Sequence, residues 1–171
     1  YTAFDRSIPA DFSSATFFLC AAAVLGDEIL IEGLDFTDSQ PDKAVVDYLK
    51  AMGTEIADEP DGIRVKKSPL KGIEIDMNRT PDALPAMAVT ACFAEGETRL
   101  VNVPQAREKE TDRIAFMAKE LAKIGADVGE PCPPHPGPNL MAVEDVRGPI
   151  AKCVVRLLEV GDDIVGIAGA G

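Results

Sequence analysis

Two cations four residues apart, with a carboxylate between them, make Gln105-Ala106-Arg107-Glu108-Lys109-Glu110-Thr111-Asp112-Arg113 the densest concentration of chemistry in this 171-residue chain. On one helix face, Lys109 and Arg113 would stand together. They lie just ahead of an amphipathic stretch, where the free N–H groups of a helix N-terminus already favour phosphate or carboxylate. Glu110, a carboxylate in cationic surroundings, would then place a proton donor beside a bound anion. The plainer reading is a solvated helix start, with Thr111 as N-cap and the acidic residues favoured by the helix dipole.

A second candidate is Asn78-Arg79-Thr80-Pro81-Asp82-Ala83. Thr80 reads as a helix cap, Pro81 as the first turn and Asp82 as a complement to the dipole. Asp82 nevertheless opens an otherwise apolar helix, so it stands where the core meets solvent. The corresponding place earlier in the chain is Ile8-Pro9-Ala10-Asp11-Phe12-Ser13-Ser14, where Asp11 and the two serines read as caps first and ligands second.

The elements that must position these residues recur along the chain. Gly26-Asp27-Glu28-Ile29-Leu30-Ile31 is echoed 70 residues later by Gly96-Glu97-Thr98-Arg99-Leu100-Val101, and Leu49-Lys50-Ala51-Met52-Gly53-Thr54 is echoed by Leu121-Ala122-Lys123-Ile124-Gly125-Ala126 at an offset of 72. Self-similarity of this kind marks a repeated unit. The pattern predicts one domain over residues 1–171, with unit one at about 1–70, unit two at about 71–130 and a partial or aberrant third at about 131–171. Each unit reads as strand, helix, strand, helix and two short strands.

In unit one these are helix Ser13–Leu25, strand Glu28–Glu32, helix Asp42–Met52 and strands Glu55–Ala57 and Ile63–Val65, with a first strand in the opening residues. In unit two they are strand Ile73–Asp76, helix Asp82–Phe93, strand Thr98–Val101, helix Asp112–Ile124 and strand Ala126–Val128. Ser13–Leu25 and Asp82–Phe93 have almost no polar face, so each is expected to be surrounded by protein. Asp112–Ile124 carries one apolar stripe through Ile114, Met117, Leu121 and Ile124. Asp42–Met52 does the same through Val45, Leu49 and Met52. Gly53 and Gly125 stop these two helices. The fold class is α/β, with repeated units arranged pseudo-symmetrically, helices inside and sheets outside.

Composition narrows the function classes. The formal net charge is −12, from 29 acidic residues against 17 Lys and Arg. Such a surface repels nucleic acid and anionic membrane, and it disfavours processing of nucleic-acid ends. The four cysteines (Cys20, Cys92, Cys132, Cys153) lack CxxC spacing, and His135 is the one histidine, so a zinc site is not expected. Cys20 and Cys92 sit in apolar runs and read as small core residues. The longest apolar stretch, Ala15 to Leu25, is too short to span a bilayer, and no signal peptide is visible. A cytoplasmic location is the expectation. Because the chain opens at Tyr1 on a strand-like run, it reads as a piece of something longer.

Three segments carry a resemblance. Asp11-Phe12-Ser13-Ser14-Ala15-Thr16-Phe17-Phe18-Leu19, Met77-Asn78-Arg79-Thr80-Pro81-Asp82-Ala83 and Arg107-Glu108-Lys109-Glu110-Thr111-Asp112-Arg113 resemble, in order, the enolpyruvylshikimate phosphate (EPSP) synthases from about Tyr1 to Glu130. The resemblance implies a two-domain transferase, each domain built of three βαβαββ units around buried helices as an inside-out α/β barrel. It implies addition and elimination between phosphoenolpyruvate and shikimate 3-phosphate, without metal or organic cofactor. By this resemblance Asp82 is the base near the 5-hydroxyl, Lys109 contacts that hydroxyl and the enolpyruvyl group, and Glu110 delivers a proton to the methylene carbon. Arg113 binds the phosphoenolpyruvate anion, Gln105 lies near the shikimate, and Asp11 has a supporting role.

The pattern breaks after Glu130. Pro131-Cys132-Pro133-Pro134-His135-Pro136-Gly137-Pro138 stands where the family closes its second unit with a hairpin, and Arg147-Gly148-Pro149 stands where an Asp-His-Arg trio is expected. The other domain is absent from the chain. The expected function is therefore enolpyruvyl transfer in which this chain supplies one domain and is inactive alone. The alternative is a non-catalytic, degenerate module of the same fold with weak anion binding.

Overall fold

A computed structural model of the chain describes residues 2–5, 8, 10–129 and 141–143. The expected third unit, with Arg147, falls outside the described residues except at 141–143.

The elements run α1 (Phe12–Val24), β1 (Glu28–Glu32), α2 (Ala44–Met52), β2 (Glu55–Glu59), β3 (Gly62–Lys66), β4 (Leu70–Lys71) and β5 (Glu74–Asp76). Then follow α3 (Leu84–Ala91), β6 (Ala94–Glu95), β7 (Thr98–Val101), α4 (Arg113–Lys123), β8 (Val128–Gly129) and β9 (Met141–Val143). This is a mixed α/β chain, as expected. Three 3-10 turns, Pro41–Lys43, Pro81–Ala83 and Pro104–Arg107, each open with a proline. Proline presets φ and lacks the donor that a helix start leaves unpaired, so it begins each turn at little cost.

Sheet order follows the sequence halves. The first sheet is β1-β3-β2 and antiparallel; the second is β5-β7-β9-β8, and its β7-β9-β8 portion has the same order. In the second sheet β5 lies parallel beside β7. Residues 2–5 form no strand beside β1, which corrects the expectation of an opening strand. β4 and β6 form a separate parallel pair.

The core lies where α1, α3 and the sheets meet. Phe12, Leu19, Leu84, Met87, Leu100 and Ile114 are fully buried, and Val45, Leu49 and Met52 carry the stripe of α2 as expected. The stripe of α4 is buried at Ile114 and Leu121, whereas Ile124 at its end is exposed. Cys20 and Cys92 are buried free thiols, and burial pushes both up to about 11.

The described residues do not by themselves enclose α1 and α3 on all sides: Phe17 is 60% and Phe18 63% exposed on α1, and Val89 is 44% exposed on α3. Phe17, Val89, Phe93, Met117 and Ile124 instead line an apolar groove of about 380 Å³ between α1, α3 and α4. Among the described residues, no helix is long and apolar enough to cross a membrane.

Gly53 ends α2 in the left-handed conformation at φ 108°, and a Cβ there would come within 3.2 Å of the Pro69 carbonyl oxygen. Gly53→Ala is therefore expected to destabilise the chain by about 1–3 kcal/mol, read as a fall in the urea midpoint at unchanged slope.

Candidate active site

The parallel pairing of β5 with β7 matches Ile75 to Leu100 and Asp76 to Val101, so the two strands end side by side. Both chains leave the sheet in the same direction, which is where α/β sheets hold their ligands. The two exits are tied together by side chains at the strand ends.

Asp76, the last residue of β5, does the tying. One carboxylate oxygen accepts the Asn78 N–H at 2.9 Å, and the other accepts the Asn102 side-chain amide at 3.0 Å from the loop after β7. The Asn102 bond chiefly, with the Asn78 N–H adding to it, holds the Asp76 carboxyl below the ordinary carboxylate value. Asn102 is the one non-glycine among the described residues with positive φ, at 57°. Asparagine tolerates that conformation better than most side chains. Further along, the Gln105 amide donates to Asn78 Oδ1 at 2.9 Å and to the Asn78 carbonyl at 3.3 Å.

The second loop then turns back over the first. Asp82, in the 3-10 turn Pro81–Ala83, places Oδ1 at 2.7 Å from Arg113 Nη1 and 3.1 Å from Lys109 Nζ. Arg113 meets Glu110 with two parallel bonds, Nε to Oε1 at 3.1 Å and Nη2 to Oε2 at 3.0 Å. Two cations and two carboxylates thus form one chain of contacts, Lys109–Asp82–Arg113–Glu110. The Arg113 side chain is the anchored member at 19% exposure, whereas Glu110 is the free end at 67%.

The charges tune one another. Lys109 is the largest cause of a lowered Asp82 pKa; partial burial opposes it and Arg113 adds to it. Arg113 is likewise the largest cause of a lowered Glu110 pKa, helped by the backbone N–H of Glu110. The Arg113 guanidinium is raised, chiefly by Glu110, so it stays charged. In this state both carboxyls are ionised at neutral pH.

Local structure differs from the sequence expectation at three points. Helix α4 begins at Arg113 and is capped by Asp112, whose Oδ1 accepts the Ala115 N–H at 3.0 Å, and not by Thr111. The other Asp112 oxygen takes Arg107 Nη1 at 2.8 Å, which fixes the loop ahead of the helix. Lys109 therefore lies in that loop, and it converges with Arg113 through a shared carboxylate and not through a shared helix face. Thr80 makes no side-chain cap; its buried hydroxyl meets Tyr48 at 3.2 Å.

Of the residues singled out in the sequence, Asp82, Lys109, Glu110 and Arg113 come together, and Gln105 joins the same pair of loops through Asn78. Asp11 does not share a contact with them. Its carboxylate caps α1, accepting the Ser13 and Ser14 N–H groups and the Ser14 hydroxyl at 2.6–3.3 Å, with the Ser14 hydroxyl the largest cause of its lowered pKa. Sequence reasoning missed Asp76, Asn102 and Tyr48 as supports. An asparagine directly after a strand was the available signal for the first pair. Among the described residues, no group of three or more His, Cys, Asp or Glu is placed to hold a metal ion.

The chain matches the family model of EPSP synthase (3-phosphoshikimate 1-carboxyvinyltransferase) over residues 2–151. It is 60% identical over 130 residues to the 3-phosphoshikimate 1-carboxyvinyltransferase of Ruminiclostridium cellulolyticum and 55% identical over 130 residues to that of Acetivibrio thermocellus. Each alignment covers 76% of this chain and 31% of the relative, so the chain spans about a third of the length of these relatives. Among solved structures it is similar to EPSP synthase from Acinetobacter baumannii, with a TM-score of 0.67 and 30% identity over 81% of this chain and 32% of that one. The enolpyruvyl transferase NikO from Streptomyces tendae, at 20% identity and a TM-score of 0.58, shares the fold.

Because Asp82 and Glu110 both have folded pKa values below their ordinary 3.8 and 4.5, their pairing stabilises the fold above those values and ceases to do so as pH falls through the lowered ones. Stability measured by urea titration is expected to be level near neutrality and to fall below about pH 4.5. Lys109→Ala, which removes the main cause of the Asp82 shift, should make that fall shallower than in the parent chain; an identical profile would contradict the assignment.

Proposed function

Because this chain belongs to the EPSP synthase family, we propose that it supplies catalytic and anion-binding groups for transfer of the enolpyruvyl group of phosphoenolpyruvate to the 5-hydroxyl of shikimate 3-phosphate. The observation that carries this reading is the Asp82 carboxylate shared between Lys109 and Arg113, with Glu110 on the other edge of the guanidinium. A base, a proton donor and two cations are thereby gathered on two loops at the ends of parallel strands.

Arg113 binds the phosphoenolpyruvate anion through its fork of donors, which suits carboxylate and phosphate. Asp82 accepts the proton of the 5-hydroxyl as its oxygen adds to C2 of the enolpyruvyl group. Lys109 contacts that hydroxyl, and Glu110 gives a proton to the methylene carbon. Elimination then breaks a C–H bond of the new methyl group, returning that proton to a carboxylate of the cluster, restores the double bond and expels phosphate. Gln105 lies near the shikimate ring, and Asp11 supports α1. Cations that clamp developing charge lower the barrier most where water is excluded. No metal or organic cofactor takes part.

The ligand-free contacts supply a reason for the timing of the proton transfers. Glu110 is held ionised chiefly by Arg113, so in this state it carries no proton to give. An anion arriving at Arg113 competes with Glu110 for the guanidinium. Once released, Glu110 loses the main cause of its lowered pKa, takes up a proton from solvent more readily, and passes that proton to the methylene carbon. The same step frees Asp82 from Arg113 and raises its basicity.

The finer architecture belongs to the same proposal. The chain is one domain of βαβαββ units, units one and two at about 1–70 and 71–130 and a partial or aberrant third at about 131–171, forming an inside-out barrel that meets a second domain across the substrates. The shared order β1-β3-β2 and β7-β9-β8 favours the repeat. The exposed Phe17, Phe18 and Val89 on helices with no polar face favour further protein around them. A half cleft neither excludes water nor completes the charge clamp, so the chain alone is inactive. The substrates are small anions; nucleic acid and membrane are not partners of a chain with net charge −12, and the reaction is cytoplasmic.

Phosphate release from phosphoenolpyruvate and shikimate 3-phosphate tests this. The chain alone is expected to release none. With the remaining part of a closely related synthase added, release is expected to appear and to fall at least about a hundredfold in Lys109→Ala. No release in the reconstituted mixture, despite demonstrated association of the two parts, would favour the degenerate module.

A further inference from the structure

The turn that carries Asp82 is held from the other half of the chain. Tyr48, on α2, is half-buried against the core, and its hydroxyl reaches the Asp76 carbonyl at 3.1 Å and the Thr80 hydroxyl at 3.2 Å. A carbonyl only accepts, and a tyrosine hydroxyl has one proton, so Tyr48 donates to Asp76. Thr80 then donates its own proton to the Tyr48 oxygen. Thr80 is fully buried, and Tyr48 is its hydroxyl's partner.

Thr80 is also the pivot of two successive turns. Its N–H donates to the Met77 carbonyl at 3.0 Å, and its carbonyl accepts the Ala83 N–H at 3.1 Å. The second of these closes the turn Pro81–Ala83, which contains Asp82. A contact on Thr80 therefore fixes the backbone two residues from the carboxylate. Without it, the turn keeps its backbone bonds but loses the side-chain tie to α2.

We propose that Tyr48 is a positioning residue for Asp82: through Thr80 and the end of β5 it sets the distance from the Asp82 carboxylate to Lys109 and Arg113. Only the description of Asp82 as the reaction's base rests on the proposed function. The geometry of the turn, and its consequence for Asp82, stand without substrate.

The charged groups that meet Asp82 are Lys109 and Arg113, with Glu110 reaching it through Arg113. On its own side of the turn, Asp76 is occupied by Asn78 and Asn102. A carboxylate that drifts from its two cations loses part of what lowers its pKa. The titration of Asp82 thus reports its placement.

The experiment uses the whole chain with no ligand and follows the Asp82 carboxyl carbon by NMR between about pH 2 and 7. Three forms are compared: the parent, Tyr48→Phe, and the double variant Tyr48→Phe/Thr80→Val. The single variant leaves the Thr80 hydroxyl buried without a partner and should lower stability; the double variant removes both partners and should recover most of it. Both variants are expected to raise the Asp82 midpoint by roughly half a pH unit towards the ordinary value. An Asp82 titration unchanged in both overturns the proposal. A shift seen in the single variant that the double variant abolishes also overturns it, because the cause would then be the orphaned hydroxyl and not the lost tie. Failure of enolpyruvyl transfer in any assay leaves this measurement untouched.

Discussion

The parallel pairing of β5 with β7 is the constraint on which the site depends. Parallel neighbours send their chains out at the same end, so a residue six beyond β5 and others eight to twelve beyond β7 come within ion-pairing distance. An antiparallel pairing of the same two strands would send the loops to opposite edges. Asp76 then converts proximity into register, since one carboxylate binds the first residues of both exits. A short side chain with two acceptors, both satisfied, is a stiff link.

The cluster built on that link is balanced and not simply positive. Lys109 and Arg113 are matched by Asp82 and Glu110, in a chain that already carries a large negative charge. A free pair of cations would hold anions without discrimination; a paired one holds only what competes better than an exposed carboxylate. Exposed ion pairs are individually weak, so the competition is easily won by a multidentate anion. In the proposed reaction, the same weakness would let one binding event redistribute the carboxylates' proton affinities, the property that a proton-transfer site needs.

Around this polar end the fold is apolar to an unusual degree. α1 and α3 carry no charged side chain, and among the described residues the groove beside them leaves Phe17 exposed. The turn that holds Asp82 leads into α3, whose outer flank carries the groove residue Val89, with Phe93 just past its end. Packing that settles α3 therefore bears on the carboxylate at its start.

Much of this was legible in the sequence. The helix and strand positions followed from apolar spacing, Gly53 from its place after a stripe, and Asp82, Lys109, Glu110 and Arg113 from their residue types within a few positions of predicted helix starts. Local chemistry determines these, because propensity, capping and periodicity act over a few residues. What the sequence misjudged was longer in range. Thr111 and Thr80 were as good caps as their neighbours by local rules, yet Asp112 took α4 because it also serves Arg107, and Thr80 turned inward because Tyr48, 32 residues away, offered it a partner. The expected face shared by Lys109 and Arg113 became a shared carboxylate, and Asp11 resolved as a cap. Which polar group meets which is decided only when distant segments pack, since a hydrogen bond's worth depends on the partners that burial leaves available.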